Sequence, residues 1–490
     1  MADKLTDPFL LLHCGQNLDH LTFLGEATLG ILSELCDAAA QDEAEADLLS
    51  RRDGLGDLWY ELLVDAIHAL KVRDRREKAY LSGSPTGAAE RSRQARTQNV
   101  YGIRELTEYF TSFTEFERVL YGSERTYRDH VTHVIRVWLV GVYLLTSNGS
   151  IDQLDLGFTA CRLIAGDPTE TEKQAARQAS QITPQERWAM WTVVALCHDL
   201  GYPLEKTHQI NDVIDRMLAH FGNIATGRYH YSFQAQHQPL NEVTLRMISS
   251  RVEEQEAARG RSELDASQSG TYLTAVQVKY YTKFARSFED FNHGVISCLV
   301  LLKTLIYFME ADYKAGGGGL TLEDARQFHI RREILRSIAS HTCPEVYHLQ
   351  INTLSFVLIL CDELQGWGRP TFRDMKLGGV DPRDDVDVQV VACDLAAGRF
   401  EAAVEYVREP SPEQVRGKFR LFHKWLRAAI DDQHRQISFR WQVTTLGGKQ
   451  HVFEYKSCRP PFEELAYTVD GENATLKLWE KPQTGAHRPG

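Results

Sequence analysis

The chain of 490 residues carries 43 % apolar and 25 % charged side chains and a formal charge of −12, values of a soluble globular protein that divides into two or three units. The negative balance disfavours a broad grip on duplex nucleic acid, which needs many phosphate contacts, but leaves room for a local basic pocket. No apolar stretch reaches the ~18 residues of a membrane span, and Met1-Ala-Asp-Lys-Leu-Thr-Asp7 lacks a signal peptide's basic-then-apolar layout, so a cytoplasmic protein without a membrane partner is expected. Nine cysteines, an odd number without paired spacing, read as reduced core thiols.

Residues 1–120 read as a helical lead-in, with Leu21, Leu24, Ile31, Leu32 and Leu35 in one amphipathic stretch and Leu58, Leu62, Leu63, Ile67 and Leu70 in another. The arginine-rich section from Lys71 to Gln98, broken by Gly83, Pro85 and Gly87, reads as a surface connection, with a basic substrate or nucleic-acid patch as the alternative. Apolar helical runs follow at Thr126–Leu145, 187–199, 291–309 and 352–367. The polar stretch 166–186 and the charged run Arg251–Glu263 are excursions between core helices, and Gly316–Gly319 marks a loop. Beyond about residue 375 the texture changes. Strands are expected at Asp387–Cys393 and Phe400–Val407, a helix at Gln414–Ile430, and a hairpin of Ile437–Val443 with Gln450–Tyr455 across Gly447-Gly448. The fold is therefore mainly α, with a helical N-terminal region (1–120), a helical bundle (121–375) and a small α+β C-terminal domain (376–490) whose tail is disordered from about Lys481.

The chemistry gathers in the bundle. His198-Asp199 ends the run Trp191–Cys197, and Gly201 and Pro203 are read as stopping that helix. Adjacent helical residues point about 100° apart, so the imidazole and carboxylate reach two sides of one cavity. His133 lies one turn after His130 on one helix face. His293 precedes Gly294 and an apolar helix, His341 ends Ile338-Ala-Ser340, and Asp362 closes Leu354–Cys361. Ionisable groups repeatedly set at the ends of apolar helices are costly unless paired or metal-bound, and one metal centre is the economical common partner. For each alone, a satisfied core or helix-end residue is the plain alternative, and His348 competes with His341.

This order, His, then His-Asp, then His, His and Asp, resembles the HD superfamily of metal-dependent phosphohydrolases over roughly residues 121–375. The resemblance implies an all-α bundle in which His133, His198, Asp199 and Asp362 hold one divalent ion while His293 and His341 supply a second. His130, in Arg128-Asp-His130, either replaces His133 as first ligand or protonates a leaving group; a capping histidine is the plain reading. Asp199, His130, Lys206 and His208 are the catalytic candidates, Lys206 and His208 facing phosphate oxygens. Tyr202, Gln365 and Arg369 would line the substrate pocket beside Trp367, Arg369 gripping a phosphate bidentately. A set rich in imidazole favours Mn, Fe, Co, Ni or Zn over Mg alone, and the metal would activate water for attack on phosphorus.

The deoxynucleotide triphosphohydrolase branch is similar in size, in its His-Asp-Leu-Gly opening and in the proline soon after. The chain departs from it at Tyr202 and Thr207, where that branch carries histidines. Cyclic nucleotide phosphodiesterases and single-strand nucleases of the HD type share the ligand order, and a catalytically silent nucleotide sensor or scaffold is the non-enzymatic alternative. The acidic chain favours a nucleotide over a polynucleotide. The C-terminal domain suits regulation or homo-oligomer contacts, and the resemblance also allows a role in antiphage nucleotide depletion.

Overall fold

In the computed structural model, residues 3–41, 54–71, 100–123, 130–147, 150–154, 156, 182–218, 220, 238–254, 272–310, 320, 322–343, 351–369, 386–395, 397–406, 410, 412–427, 437–458 and 462–476 are described. A strand β1 (Asp3–Lys4) leads into helices α1 (Asp7–Gln16), α2 (Glu26–Gln41), α3 (Leu55–Lys71), α4 (Ile103–Ser123), α5 (Val131–Thr146), α6 (Pro184–Cys197), α7 (Tyr202–Leu218) and α8 (Gln238–Ser249). A β-ribbon of β2 (Ser250–Glu254) and β3 (Tyr272–Val276) follows, then α9 (Val278–Glu289), α10 (His293–Thr304), α11 (Ile306–Met309), α12 (Leu322–Thr342) and α13 (Leu354–Leu364). The last part holds β4 (Val386–Asp394), β5 (Arg399–Tyr406), α14 (Pro412–Arg427), β6 (Ile437–Thr444), β7 (Gln450–Cys458), β8 (Phe462–Val469) and β9 (Glu472–Asn473). The protein is thus mainly helical with a small sheet near its C-terminus. Among the described residues no helix is long and apolar enough to cross a membrane.

Central helices are apolar on every side, and such helices belong in a core rather than on a surface. In α5 every residue from Val131 to Val142 is buried, and in α6 every residue from Trp188 to Cys197. Helix α6 starts firmly: Thr183 and Glu186 form a reciprocal capping box, with Pro184 in the first turn. It packs against α3, α5, α12 and α13, and α12 packs on α10 and α13. Gly141 lets α5 and α6 approach, since a Cβ there would lie 1.9 Å from the Trp191 ring.

The expected strands form, within a seven-stranded sheet of order β1-β4-β5-β6-β7-β8-β9. All pairs are antiparallel except β5–β6. A parallel pair needs a long crossover, which α14 supplies while covering the apolar face of Phe439, Trp441 and Phe453. The N-terminal strand was not expected: Asp3 pairs with Val390 and Lys4 with Gln389 at the sheet edge.

The expected helices shift at their ends. The run 187–199 ends at Cys197, and 291–309 divides at Leu305 into α10 and α11. The run 352–367 becomes Leu354–Leu364, and the helix expected from Thr126 begins at Val131, with 124–129 outside the described residues. Pro203 does not stop a helix; it is the second residue of α7. Cys14, Cys197, Cys298, Cys343, Cys361 and Cys393 are free and buried, and Cys36 is free and half-buried. Also outside the described residues are 72–99, most of 166–186, 255–263, Gly316–Gly319, His348 and the tail from Lys481.

Candidate metal centre

Five helix ends converge on one point. His133 stands in the first turn of α5, His198 caps the C-terminus of α6, and Asp199 follows in the turn to α7. His293 opens α10, His341 closes α12, and Asp362 lies in the last turn of α13. The doublet is therefore not within the helix; it occupies the helix end and the turn beyond. That turn is docked from above, because Ser297 Oγ donates to the His198 carbonyl and accepts the Gly201 N–H, both at 2.7 Å. Gly201 has ordinary dihedral angles, and its value is closeness: a Cβ would lie 2.3 Å from the His293 carbonyl oxygen. Gly294 does the same between α10 and α12, where a Cβ would meet Thr342 Oγ1 at 2.5 Å.

The Asp199 carboxylate sits in the middle. Its Oδ2 lies 3.4 Å from His198 Nε2 and 3.8 Å from His133 Nε2. Its Oδ1 lies 3.2 Å from His293 Nε2 and 3.7 Å from His341 Nε2. Asp362 Oδ1 is 3.0 Å from His133 Nε2, and the His293 and His341 Nε2 atoms are 3.2 Å apart. Two overlapping groups, His133–His198–Asp362 and His198–Asp199–His341, have all ligand atoms within 4.8 Å of one another. Donors so spaced can share an ion at bond lengths of about 2.1 Å.

The imidazoles are oriented from behind. His198 Nδ1 donates to the Ala195 carbonyl at 2.8 Å, His341 Nδ1 to the Ile338 carbonyl at 2.6 Å, and His133 Nδ1 to Gln365 Oε1 at 2.5 Å. Each bond places the proton on Nδ1 and leaves the Nε2 lone pair facing inward, as metal ligation requires. His198 Nε2 is fully buried and has no hydrogen-bond partner. A buried nitrogen aimed at two carboxylates without a hydrogen bond fits a cation between them.

The protonation states agree. Burial, helped by the Arg369 guanidinium, pushes His133 down to about 4 against the pull of Asp362 and Asp199. His341 is lowered mainly by burial. Burial raises both carboxylates, but the imidazoles of His198, His293 and His341 gathered around Asp199 hold it well below its ordinary range, and His133 holds Asp362 below its own. His293 differs. Burial lowers it, yet Asp199 and Glu205 together lift it to about 10, Glu205 Oε2 standing 2.7 Å from its Nδ1 and 3.0 Å from its backbone nitrogen.

The centre opens on one side, where the Asp362 side chain is 31 % exposed and that of His293 17 %. His130 does not join the ligands. It precedes α5 and stacks on Tyr202 at 3.7 Å between centroids; its backbone N–H donates to Glu117 Oε1 at 2.7 Å, while its ring Nδ1 lies 3.6 Å from the same oxygen. Tyr202 also meets His293 edge-on at 5.4 Å. Lys206 Nζ lies 5.2 Å from the Tyr202 ring centre and donates to Gln209, while Thr207 donates back to the Pro203 carbonyl. His208 stacks on Phe291, whose φ of 57° is a strained conformation for a bulky residue two places before His293. Gln365 is not a pocket wall: it is 2 % exposed and spends its amide between His133 and the Trp367 carbonyl. Trp367 is buried as well, and Arg369 is half-buried near His133.

Sequence reasoning passed over Glu205, Glu117 and Ser297. Glu205 reads as an ordinary acidic residue in the first turn of α7, and Ser297 as one polar residue in an apolar helix. Neither carries a local signal. Comparison with protein-family models, curated proteins and solved structures gave no match.

Proposed function

We propose that the chain is a metal-dependent phosphohydrolase of the HD type acting on nucleotides, with (deoxy)nucleoside triphosphates as the first candidates. The supporting observation is the set of inward-facing donors around Asp199, with the orphaned Nε2 of His198 at its heart. His133, His198, Asp362 and Asp199 Oδ2 would hold one ion, and His293, His341 and Asp199 Oδ1 a second. Mn, Fe, Co, Ni and Zn suit so many imidazoles better than Mg. When bound, the ion supplies a coordinated water of lowered pKa and neutralises charge on phosphoryl oxygens.

The protein's own groups supply the rest. Asp362 and His293, the more exposed of the donors, would set the direction from which a phosphate approaches. His130, its ring Nδ1 3.6 Å from Glu117 Oε1 and stacked on Tyr202, would move a proton at the leaving oxygen. Arg369 and Lys206 supply positive charge beside the opening for a polyphosphate. Purified protein with manganese, offered a panel of dNTPs, NTPs, cyclic dinucleotides and oligonucleotides, should release phosphate, triphosphate or a linearised nucleotide. Asp199→Ala should lower that rate by at least ~100-fold, since it removes a donor common to both ions. Full activity in Asp199→Ala would refute the site; binding without turnover in the wild type would mark a sensor, and selective cutting of oligonucleotides a nuclease.

A further inference from the structure

Behind His133 a buried chain of hydrogen bonds leads away from the centre to the first helix of the protein. His133 Nδ1 meets Gln365 Oε1 at 2.5 Å, and Gln365 Nε2 donates to the Trp367 carbonyl at 2.7 Å. Trp367 Nε1 donates to Asp7 Oδ1 at 3.0 Å. Asp7 accepts from Arg136 Nε at 2.8 Å and from Arg136 Nη2 at 2.7 Å, and Arg136 Nη1 donates to the Gly368 carbonyl at 2.7 Å. Arg136 lies on α5 three residues after His133, so the chain closes into a ring. Asp7, Arg136, Gln365 and Trp367 are each 4 % exposed or less.

The ring decides a tautomer. An amide has one donating and one accepting end, and its orientation follows from the network around it. Because Gln365 Nε2 is committed to the Trp367 carbonyl, its Oε1 faces His133, the His133 proton stays on Nδ1, and Nε2 is left free to ligate. The Trp367 carbonyl is itself placed by the indole bond to Asp7 and by the arginine on Gly368. Gly368, at φ 61°, is shaped to this contact: a Cβ there would lie 2.6 Å from the Arg136 guanidinium nitrogens. Asp7 in turn is fixed by the chain entering it. Leu5 N–H donates to the Val388 carbonyl in the sheet, and Thr6 caps α1 by accepting from Phe9 N–H.

We propose that Asp7 is a positioning residue of the metal centre, holding His133 through Trp367 and Gln365 in the tautomer that ligates. The inference rests on the metal reading above. Cobalt(II) titration of the folded full chain tests it, with affinity taken from chelator competition and ligand geometry from the visible absorption bands. Asp7→Asn should weaken cobalt binding by about 10–100-fold and shift those bands, as expected for loss of support behind a ligating histidine. Trp367→Phe, which keeps the Asp7–Arg136 pair, should shift both in the same direction by less, and Glu413→Ala, at an exposed position of α14, should change neither. If Asp7→Asn fails to fold, Trp367→Phe decides. Wild-type affinity and bands in the folded variants would overturn this inference alone; a wild type that binds no cobalt would overturn the metal reading and this inference with it.

Discussion

His293 is the group at this centre that two carboxylates claim. In the metal-free protein Asp199 and Glu205 hold its proton up to about 10 despite burial, whereas a ligand must present a bare nitrogen. A folded pKa raised above the ordinary value of about 6.5 stabilises the fold fully below that pH, and the contribution is lost as pH rises towards about 10. Asp199 and Asp362 act with the opposite sign: their lowered values stabilise above the ordinary carboxylate range, and that is lost in acid. Filling the His293 subsite at pH 8 should therefore release roughly one proton. Calorimetric titration in buffers of different ionisation enthalpy measures this directly, and an observed heat that does not vary with buffer would contradict it. The loaded protein should also lack the alkaline loss of stability between about 6.5 and 10 expected of the protein without metal.

At the scale of the element, α6 carries the centre, and its start explains why it is rigid. Glu186 serves twice: it completes the capping box with Thr183 and forms a buried ion pair with Arg326 of α12. Removing the cap hydroxyl with Thr183→Ala should cost about 1 kcal/mol, the usual value of an N-cap. Glu186→Ala should cost about 3–5 kcal/mol, because Arg326 is fully buried and would be left without its carboxylate. Urea unfolding of the two variants compares them, and equal losses would show that the ion pair contributes nothing. This pairing also shows where sequence legibility ends. α5, α6, α10 and α13 stand out as apolar runs with His or Asp at their ends, and those ends are the residues that meet. α12 is also buried yet stayed hidden, because its inner face includes Arg326, Arg331 and Arg332, which bind Glu186 and the carbonyls of Tyr307 and Ser250. Likewise β5 and β6 each read as strands, but nothing local in either states that they pair in parallel. Gln365 looked like a pocket residue from its place near Asp362; its partner His133 lies 232 residues away in sequence.

Among the described residues the helices and the seven-stranded sheet share one large hydrophobic core, with a small separate cluster of Tyr272, Leu320 and Ala325 at the β2–β3 ribbon. The large core runs from Leu5 and Leu11 through Trp138 and Trp191 to Phe439, Trp441 and Leu476. Among the described residues, polar ties cross between the sheet region and the helices beside the candidate metal centre. β1 joins the sheet edge and continues into α1 with Asp7, and Lys418 of α14 reaches α13, donating to the Glu363 carbonyl at 2.8 Å and pairing with its carboxylate at 3.3 Å. Glu363 is the neighbour of Asp362, so α14 braces the helix end that presents this proposed ligand. Burial raises the Glu363 carboxyl against the pull of Lys418, which makes the lysine the partner whose loss is felt on both sides. A shared core with such ties should unfold as one unit rather than as a bundle and a separate sheet. Differential scanning calorimetry of the full chain should show a single heat peak, and Lys418→Met, by leaving Glu363 without its cation, should lower stability by about 1–3 kcal/mol and move that entire peak to lower temperature. Two peaks, of which the substitution moves one alone, would mean that the sheet folds independently and that its contact with α13 does not brace Asp362.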